Sequence, residues 1–267
     1  MMRELNLNPV FKPADGVKVA NYGIVQSFRK DGKMVGMDGC STTCMFNEFC
    51  KKMQDAGKDC ICSGCYARNM AKSFGWMKPD KNTGDDKYYL KASKEISARV
   101  YDDSEIPVLN IKNVYGVFRI ESFGEIINTN HAINLVKLIK KNPGVNFGWW
   151  TKRPELIARA LKVLNLSGSW LKDNCNVIYS NPWKNSTKDG KLIDVNKTVK
   201  RYDFIKGVFT VYTAAYAIKN NVFINCGGRK CIECLNCYNY HENVFYINEI
   251  LKSDAKKYYE AIAGGKK

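Results

Sequence analysis

The central part of the chain alternates between short apolar runs and stretches whose apolar residues recur every three or four positions. Runs rich in aromatic and β-branched side chains predict buried strands. These runs are residues 115–120, 145–150, 176–180 and 207–213. Stretches of helical period predict amphipathic helices between the strands. These stretches are residues 128–141, which end before Pro143, residues 154–164, which begin at Pro154, and residues 214–219.

The two ends of the chain carry weaker signals of the same kind. Residues 21–28 and 33–37 resemble two further strands. After the central part, residues 221–225 predict a strand and residues 246–263 predict a final amphipathic helix. A polar loop is expected up to about residue 200, and residues 51–86 have the composition of an inserted region.

Strands separated by helices in units of roughly 30 residues predict right-handed crossovers and a parallel sheet. The fold class is therefore α/β, and the number of units favours a TIM-like or partial (β/α) barrel. A chain of 267 residues fits one such domain, so we expect a single domain over residues 1–267. No G-x-G-x-x-G follows a strand, which argues against a dinucleotide-binding domain. In barrels the functional groups follow the carboxyl ends of the strands.

Ten of the eleven cysteines lie in two groups, one towards each end of the chain. The C-terminal group, residues 226–237, has the spacing C-x4-C-x2-C-x2-C and consists of Cys226, Cys231, Cys234 and Cys237. Two-residue spacers let neighbouring thiolates turn onto one ion or cluster, and Gly227-Gly228 permits a tight turn around it. This spacing predicts a metal or iron–sulfur site.

The N-terminal group, residues 40–65, contains six cysteines. Cys62 and Cys65 have two-residue spacing, and Cys40 and Cys44 have the three-residue spacing that opens the radical S-adenosylmethionine signature C-x3-C-x2-C. The strict signature is absent, because it requires a cysteine three residues after Cys44, whereas Cys50 comes six residues after it. We expect the ligands of this group to be Cys40, Cys44, Cys62 and Cys65.

Six thiols exceed the three or four ligands that one cluster requires. Cys50 and Cys60 are therefore either ligands or free thiols packed as small apolar groups. Of the two histidines, His131 falls within a predicted helix and is expected to be structural. His241 follows Cys237 by four residues and is a further candidate ligand.

A disulfide framework is the alternative explanation for clustered cysteines. The chain starts without an export signal, has an odd cysteine count and is larger than typical disulfide-stapled modules. No apolar stretch approaches the roughly 18 residues that span a bilayer. We therefore expect a cytoplasmic metalloprotein without membrane contact, which holds one or two 4Fe–4S clusters, with zinc as the alternative metal.

The chain is strongly basic, with 42 lysines and arginines against 26 acidic residues and a formal charge of +16. Such a balance makes nucleic acid a plausible partner. The alternative is a generally lysine-rich surface, because the lysines are spread along the whole chain.

Four motifs occur in an order that resembles a known family. They are CSGCYARNMAKSFG, FRIESFGE, NPGVNFGWWTKRPE and CGGRKCIECLNC, at residues 62–75, 118–125, 142–155 and 226–237. They resemble the phage gene product 88 domain family, whose members show a Cys-Tyr-Ala motif, an arginine strand ending in Ser-Gly-Asp, a Tyr-Thr-Lys strand and a closing cysteine cluster. The resemblance covers roughly residues 40–237 and implies iron–sulfur binding and a barrel-like fold, in the host cytoplasm if the protein is phage-encoded. The Cys-Tyr-Ala motif is shared with phage proteins that resemble radical S-adenosylmethionine enzymes.

The end of the predicted strand at residues 115–120 and the loop after it carry Glu121 and the candidate cofactor-binding residues, which are Arg119, Ser122, Gly124 and Glu125. Radical S-adenosylmethionine enzymes use a Gly-Gly-Glu at a comparable strand end to hold the amino group of the cofactor, and Gly124-Glu125 could serve that end. The alternative is that Ser122 and Glu125 satisfy amides at a helix start. The family's Ser-Gly-Asp is replaced here by Ser-Phe-Gly-Glu, which weakens a direct transfer of the acid's role.

Thr151 and Lys152 form a second strand-end group, suited either to a phosphate or carboxylate contact or to an exposed basic loop. Two functions follow. The first is a non-catalytic iron–sulfur protein that binds nucleic acid or a host protein. The second is a radical S-adenosylmethionine-type enzyme with an auxiliary cluster. The incomplete C-x3-C-x2-C signature slightly favours the first, because a cluster with four protein ligands leaves no iron open for a cofactor.

Overall fold

The computed structural model describes residues 18–25, 28–30, 33–35, 37–44, 46–65, 83–84, 86–111, 115–227, 230–239 and 241–264. Its main feature is a seven-stranded sheet in the order β1-β4-β5-β6-β7-β10-β11. These strands are β1 (Ile24–Val25), β4 (Gly39–Cys40), β5 (Val117–Ile120), β6 (Asn146–Thr151), β7 (Cys175–Ser180), β10 (Ile205–Tyr212) and β11 (Phe245–Ile250). Two hairpins lie outside the sheet, formed by β2 (Phe28–Lys30) with β3 (Lys33–Val35) and by β8 (Thr187–Lys188) with β9 (Lys191–Leu192).

Helices connect the strands along the described chain. They are α1 (Glu48–Gln54), α2 (Tyr88–Ala98), α3 (Thr129–Lys141), α4 (Pro154–Val163), α5 (Gly168–Leu171), α6 (Asn196–Arg201), α7 (Ala214–Lys219), α8 (Cys231–Cys234) and α9 (Ala255–Gly264). Among the parts of the chain that the structure describes, no helix has both the length and the hydropathy needed to cross a membrane.

The sheet is parallel from β4 to β11, and only β1 runs antiparallel to its neighbour. The expected α/β class with a mostly parallel sheet is therefore confirmed. A barrel is not confirmed, because β1 and β11 stand at the two ends of the strand order.

One face of the sheet, the outer face, packs against helices α3 and α4. Because side chains alternate along a strand, Phe118 and Trp149 point into this core. They meet Leu135 of α3 and Ile157 of α4, all essentially inaccessible to solvent. Burying each such side chain stabilises the fold by about 1.5–3 kcal/mol. The periodic apolar positions of the central sequence thus build the main core.

The opposite face, the inner face, carries Val117, Arg119 and Trp150. The C-terminal cysteine segment covers part of it, because Ile232 and Tyr238 pack against Val117 and Trp150. The strand register places Val211 of β10 beside Glu249 of β11. Strand β10 is the neighbour of β7, and β11 follows β10 at the end of the sheet.

The central elements are confirmed, and their ends agree with the prediction within two residues. These are the strands predicted at 115–120, 145–150, 176–180 and 207–213 and the helices predicted at 128–141, 154–164 and 214–219. At the N-terminal side, the runs at 21–28 and 33–37 correspond to short strands, β1 to β3. The polar loop before residue 200 also contains the β8–β9 hairpin and the start of α6.

Two predictions near the C-terminus are wrong. Residues 246–263 are not one helix, because their first part is strand β11, which pairs with β10 over six residues, and only α9 is helical. Residues 221–225 are not a strand. Beside them, the Asn248 amide donates to the Asn225 side chain at 2.8 Å instead of to a backbone carbonyl, which interrupts a regular ladder. Between this segment and β11, the one bridge of the strand type is the isolated parallel bridge between Cys226 and Glu249 in the described residues.

The region 51–86 is described only in part. Residues 66–82 and 85 lie outside the described chain, and with them most of the motif at 62–75. The described part begins within α1 and continues through a 3-10 turn, Ile61–Gly64. The Ile61 amide donates to the Pro182 carbonyl at 2.8 Å, and the Lys184 amide donates to the Asp59 carbonyl at 2.8 Å. This segment is therefore fixed beside the end of β7.

Candidate functional site

The loops after β4, β5 and β6 meet at one edge of the sheet, because parallel strands end on the same side. This strand-end region contains five of the six predicted cofactor-binding residues, which are Ser122, Gly124, Glu125, Thr151 and Lys152. It also contains the described part of the N-terminal cysteine group. The sixth residue, Arg119, lies within β5 and points to the inner face.

Glu125 is almost completely buried and is used inside the protein. Its Oε1 accepts hydrogen bonds from Thr151 Oγ1 at 2.6 Å and from the Ile126 amide at 2.9 Å. Its Oε2 accepts from the Lys152 amide at 2.7 Å. Burial raises the pKa of Glu125, while the Lys152 ammonium and these hydrogen bonds act in the opposite direction. The contacts match the alternative in which the carboxylate satisfies backbone amides.

Ser122 and Gly124 belong to a tightly packed loop. A side chain on Gly124 would come within 2.1 Å of Glu121 Oε2 and within 2.3 Å of Thr42 Oγ1, so glycine is required for this approach. Thr42 Oγ1 donates to Glu121 Oε2 at 2.8 Å, and the Ser122 amide donates to the Cys40 carbonyl at 3.2 Å. The loop after β5 is therefore locked to the loop after β4.

Glu121 and His131 extend this locked region into the core. Glu121 is buried and has a positive φ of 55°, which is unusual for a residue with a side chain. His131 Nδ1 accepts from the Ile127 amide at 3.2 Å, so the proton of the neutral ring lies on Nε2. That atom is 3.3 Å from Glu121 Oε1, although the alignment falls short of a hydrogen bond. The two buried side chains therefore face each other within the core.

Lys152 is the charged centre of the N-terminal cysteine group. Burial acts to lower the pKa of its ammonium, whereas thiolate charge on Cys62, Cys50 and Cys44 and the Glu125 carboxylate, whose Oε2 lies 3.9 Å from Nζ, act to raise that pKa above its usual value. The positive charge of Lys152 in turn contributes to lowering the pKa of Cys60. The structure thus brings four thiols and one ammonium to the carboxyl edge of the sheet.

The four thiols around Lys152 form two pairs. A hydrogen bond from the Cys50 thiol lowers the pKa of Cys44, and a hydrogen bond from the Cys62 thiol lowers the pKa of Cys60 to about 6. The donating thiols of Cys50 and Cys62 have raised pKa values for the same reason. Cys50 and Cys60, which the sequence left open, belong to this group.

The two other predicted N-terminal ligands are placed differently. Cys40 points into the outer-face core, where burial raises the pKa of its thiol. Its strand pairs with β5 through Cys40 and Ile120, which fixes this orientation. Cys65 caps the C-terminal end of the 3-10 turn, and its amide donates to the Cys62 carbonyl at 3.4 Å.

The segment with the four C-terminal cysteines packs over the inner face through Ile232, Tyr238 and Cys237. The Cys226 amide donates to the Asn248 carbonyl at 3.0 Å, which ties the start of the group to β11. Cys231 and Cys234 are exposed in α8, and Leu235 follows in a left-handed turn with φ 54°. The Cys237 carbonyl accepts from Asn176 Nδ2 of β7 at 3.1 Å.

The thiols of this group influence one another electrostatically. Burial raises the pKa of Cys226 to about 11, and the Glu249 carboxylate adds to this effect, followed by Cys231 and Cys234. The pKa of Cys237 rises to about 12, again through burial first and then through the other three thiols. Arg119 lowers both pKa values, so its guanidinium lies near this group.

Arg119 is held on the inner face by an aromatic contact. Its guanidinium carbon lies 4.5 Å from the centre of the Trp150 ring. Its Nε is buried, and no acceptor within the described residues bonds to it. His241 is engaged elsewhere, because its Nε2 lies 2.7 Å from the Asn236 carbonyl and its ring stacks on Phe245 at 3.9 Å.

In the described residues, no group of three or more histidine, cysteine, aspartate or glutamate side chains is already arranged to bind a metal ion. Comparison with protein-family models, with curated proteins and with solved structures found no match. The resemblance to the phage gene product 88 domain family therefore stays a prediction.

The sequence placed Glu121 at the end of the predicted strand, beside Ser122, but it did not point to Thr42 as the partner of Glu121. The signal for Glu121 is an acidic residue directly after a buried strand. Thr42 has no comparable signal, because its role depends on which strands become neighbours.

Proposed function

We propose that this protein binds an iron–sulfur cluster through Cys226, Cys231, Cys234 and Cys237 and acts as a non-catalytic binding protein. The observation that supports this most is that the segment carrying these four cysteines packs on the inner face of the sheet through Ile232, Tyr238 and Cys237, near the buried Nε–H of Arg119. Four thiolates are the complete ligand set of a 4Fe–4S cluster. Such a cluster would serve to hold the C-terminal segment on the sheet.

The residues of this group fit a thiolate-bound centre in two ways. The donor set is all sulfur, which suits iron–sulfur clusters and zinc. The unpaired Nε–H of Arg119 is a donor of the kind that hydrogen-bonds to cluster sulfurs. Zinc is the alternative metal, and the closely spaced cysteines and the family resemblance favour iron.

A second cluster is proposed at the N-terminal group. Its ligands would be drawn mainly from the thiols around Lys152, which are Cys44, Cys50, Cys60 and Cys62. Cys40 is a poor candidate, because its thiol faces the apolar core.

A partial barrel is proposed as the finer form of the fold. Adjacent strands are about 4.8 Å apart, so β5 and β11 would be about 19 Å apart in a flat sheet. The positive charge of Arg119 nevertheless acts to lower the pKa of Glu249 in β11, although burial raises that pKa overall. Curvature of the sheet around the inner face accounts for this reach, with the C-terminal cysteine segment inside the curve.

The proposed partner is a nucleic acid or a host protein. The formal charge of +16 supports a polyanionic partner, and four thiolates bound to a 4Fe–4S cluster would remove only about two positive charges. A protein of this charge associates with phosphate backbones in a salt-dependent way.

A radical S-adenosylmethionine-type enzyme remains the second candidate. It is favoured by the position of Lys152 and its surrounding thiols at the strand-end edge, where barrel enzymes place their reactive groups. Glu125 speaks against it, because both of its oxygens already accept hydrogen bonds from the protein.

The two functions are separated by anaerobic purification with iron and sulfide counts, followed by electron paramagnetic resonance with and without S-adenosylmethionine. We expect iron and sulfide in cluster proportion and no 5′-deoxyadenosine from the reduced protein. Formation of 5′-deoxyadenosine would establish the enzyme instead. Colourless protein with stoichiometric zinc would refute the iron–sulfur assignment.

The C-terminal ligand set is tested by Cys234→Ala. Cys234 is exposed, so without a bound metal its replacement would change stability by no more than about 0.5 kcal/mol. Because metal-binding free energy becomes folding free energy, we expect a loss of iron and a lower melting temperature. The matched control is Cys175→Ala, which removes a buried thiol outside both groups and should leave the iron content unchanged. Unchanged iron in Cys234→Ala would remove the assignment.

A further inference from the structure

Arg119 has an unsatisfied polar atom in a buried position. Its guanidinium stacks on Trp150, and its Nε has no acceptor within the described chain. An unpaired buried donor costs about 1–3 kcal/mol, so native proteins normally supply a partner for it. The partner should therefore be a group that joins the site.

The surroundings of Arg119 show where that partner would lie. Cys237 packs with Val117, Trp150 and Tyr238, which surround the inner-face side of β5. The Tyr238 hydroxyl is already directed to the Met37 sulfur at 2.8 Å. The Arg119 charge also acts to lower the pKa values of Cys226, Cys237 and Glu249, in keeping with a guanidinium directed towards this part of the inner face.

Glu249 does not satisfy Arg119 directly. The two charges influence each other, but the carboxylate accepts no hydrogen bond from Arg119 Nε. Cys226 is joined to Glu249 by an isolated backbone bridge, so its position relative to β11 is fixed. The sulfur atoms of the C-terminal group are therefore the acceptors best placed for the guanidinium.

We infer that Arg119 is the cationic partner of the C-terminal cysteine centre and donates its Nε–H to a thiolate sulfur of that centre when the metal is bound. The inference rests on the proposed function. It gives Arg119 a positioning role different from the cofactor contact that its sequence neighbours suggested. Trp150 has the supporting role of holding the guanidinium in place.

A fixed cation has a predictable effect on such a centre. A cluster held by four thiolates is anionic, and its reduced form carries one more negative charge. A guanidinium in a partly desolvated site stabilises that reduced form more than the oxidised form. Arg119 should therefore raise the reduction potential and slow the loss of metal to chelators.

Two variants of the full chain separate charge from packing. Arg119→Met keeps an unbranched side chain to pack on Trp150 but removes the charge and the donor. Arg119→Lys keeps the charge but has no Nε–H. The matched control is Arg153→Met, which removes another arginine stacked on a ring, that of Phe49 at 5.0 Å, at the strand-end edge.

The readouts are the reduction potential of the cluster, from redox titration of its paramagnetic signal, and the rate of iron release to a chelator. The relevant signal is the one that disappears in Cys234→Ala. In Arg119→Met we expect the ratio of reduced to oxidised cluster at a fixed potential to fall about tenfold, which equals about 59 mV for one electron. Arg119→Lys should lie between this variant and the wild type, and Arg153→Met should match the wild type.

The outcomes distinguish the two levels of the proposal. An intact cluster with wild-type potential and release rate in Arg119→Met would overturn the role of Arg119 and leave the cluster assignment standing. If Arg119→Met loses the cluster completely, Arg119→Lys decides, and a wild-type potential in that variant overturns the hydrogen bond. If the wild type holds no metal that depends on Cys234, the proposed function fails first.

Discussion

At the scale of single residues, Glu125 shows how a carboxylate suited to a cofactor can instead stabilise the fold. It links the loop after β5 to the end of β6 through the Thr151 hydroxyl and the Lys152 amide. All its neighbours at these contacts are donors. The same residue would therefore be difficult to free for a ligand.

We predict that Glu125→Gln destabilises the protein by about 2–3 kcal/mol, because the amide group places donors against buried donors. Chemical denaturation measures the loss. Glu155→Gln is the control, since Glu155 is partly exposed and pairs with Arg153 at the surface. We expect Glu125→Gln to keep its iron. Wild-type stability together with lost activation of S-adenosylmethionine would show that Glu125 serves a cofactor.

The sequence identified most residues of the candidate sites but not their grouping. Arg119 and Glu125 are close in sequence, yet alternation along β5 sends Arg119 to the inner face, while Glu125 follows in the loop. That separation was readable from Phe118 and Ile120, which flank Arg119 and are core residues. The position of Cys40 was not readable, because it depends on the pairing of β4 with β5.

At the scale of elements, the C-terminal cysteine segment is fitted to the sheet through one glycine. Gly148 of β6 lies under the ring of Tyr238. A side chain on Gly148 would come within 2.7 Å of that ring and within 2.8 Å of Trp150. The absence of a side chain at this position lets the segment approach the strand.

Gly148→Ala should therefore destabilise the protein by about 1–3 kcal/mol through overpacking and should weaken metal retention by the displaced segment. Thermal unfolding and iron counts give the two readouts. Gly144→Ala is the matched control, because a side chain there meets open space. Equal behaviour of the two variants would contradict the packing described for Tyr238.

Elements with one clear period were predictable, and elements with mixed signals were not. Helices α3 and α4 carry broad apolar stripes and clear starts at Asn128 and Pro154. The segment forming β11 has apolar residues compatible with both a helical and a strand period, and pairing with β10 decides between them. Local sequence contains no record of that pairing.

At the scale of the whole molecule, the excess of positive charge is the property most relevant to a partner. The charge is distributed along the chain and does not depend on a single motif. Affinity for a polyanion should then come from phosphate contacts more than from base recognition.

We predict that the protein binds duplex DNA or RNA with little sequence preference and strong dependence on salt. If four phosphates are neutralised, the affinity for duplex DNA should fall about 100-fold between 50 and 200 mM salt. Fluorescence anisotropy of a labelled duplex over this range measures the slope, with heparin as a competing polyanion. Absence of binding at the lowest salt would leave a host protein as the proposed partner.

The contact between the Cys226 region and β11 has a consequence for the fate of the protein after oxidative damage. Strand β11 is the last strand of the sheet, so one of its hydrogen-bonding edges has no neighbouring strand in the described chain. Asn225 and Cys226 cover this edge through contacts with Asn248 and Glu249. Unshielded edge strands invite pairing with other chains. Release of this segment after loss of a cluster would therefore uncover an aggregation-prone edge, so that the same four cysteines would protect solubility as well as shape.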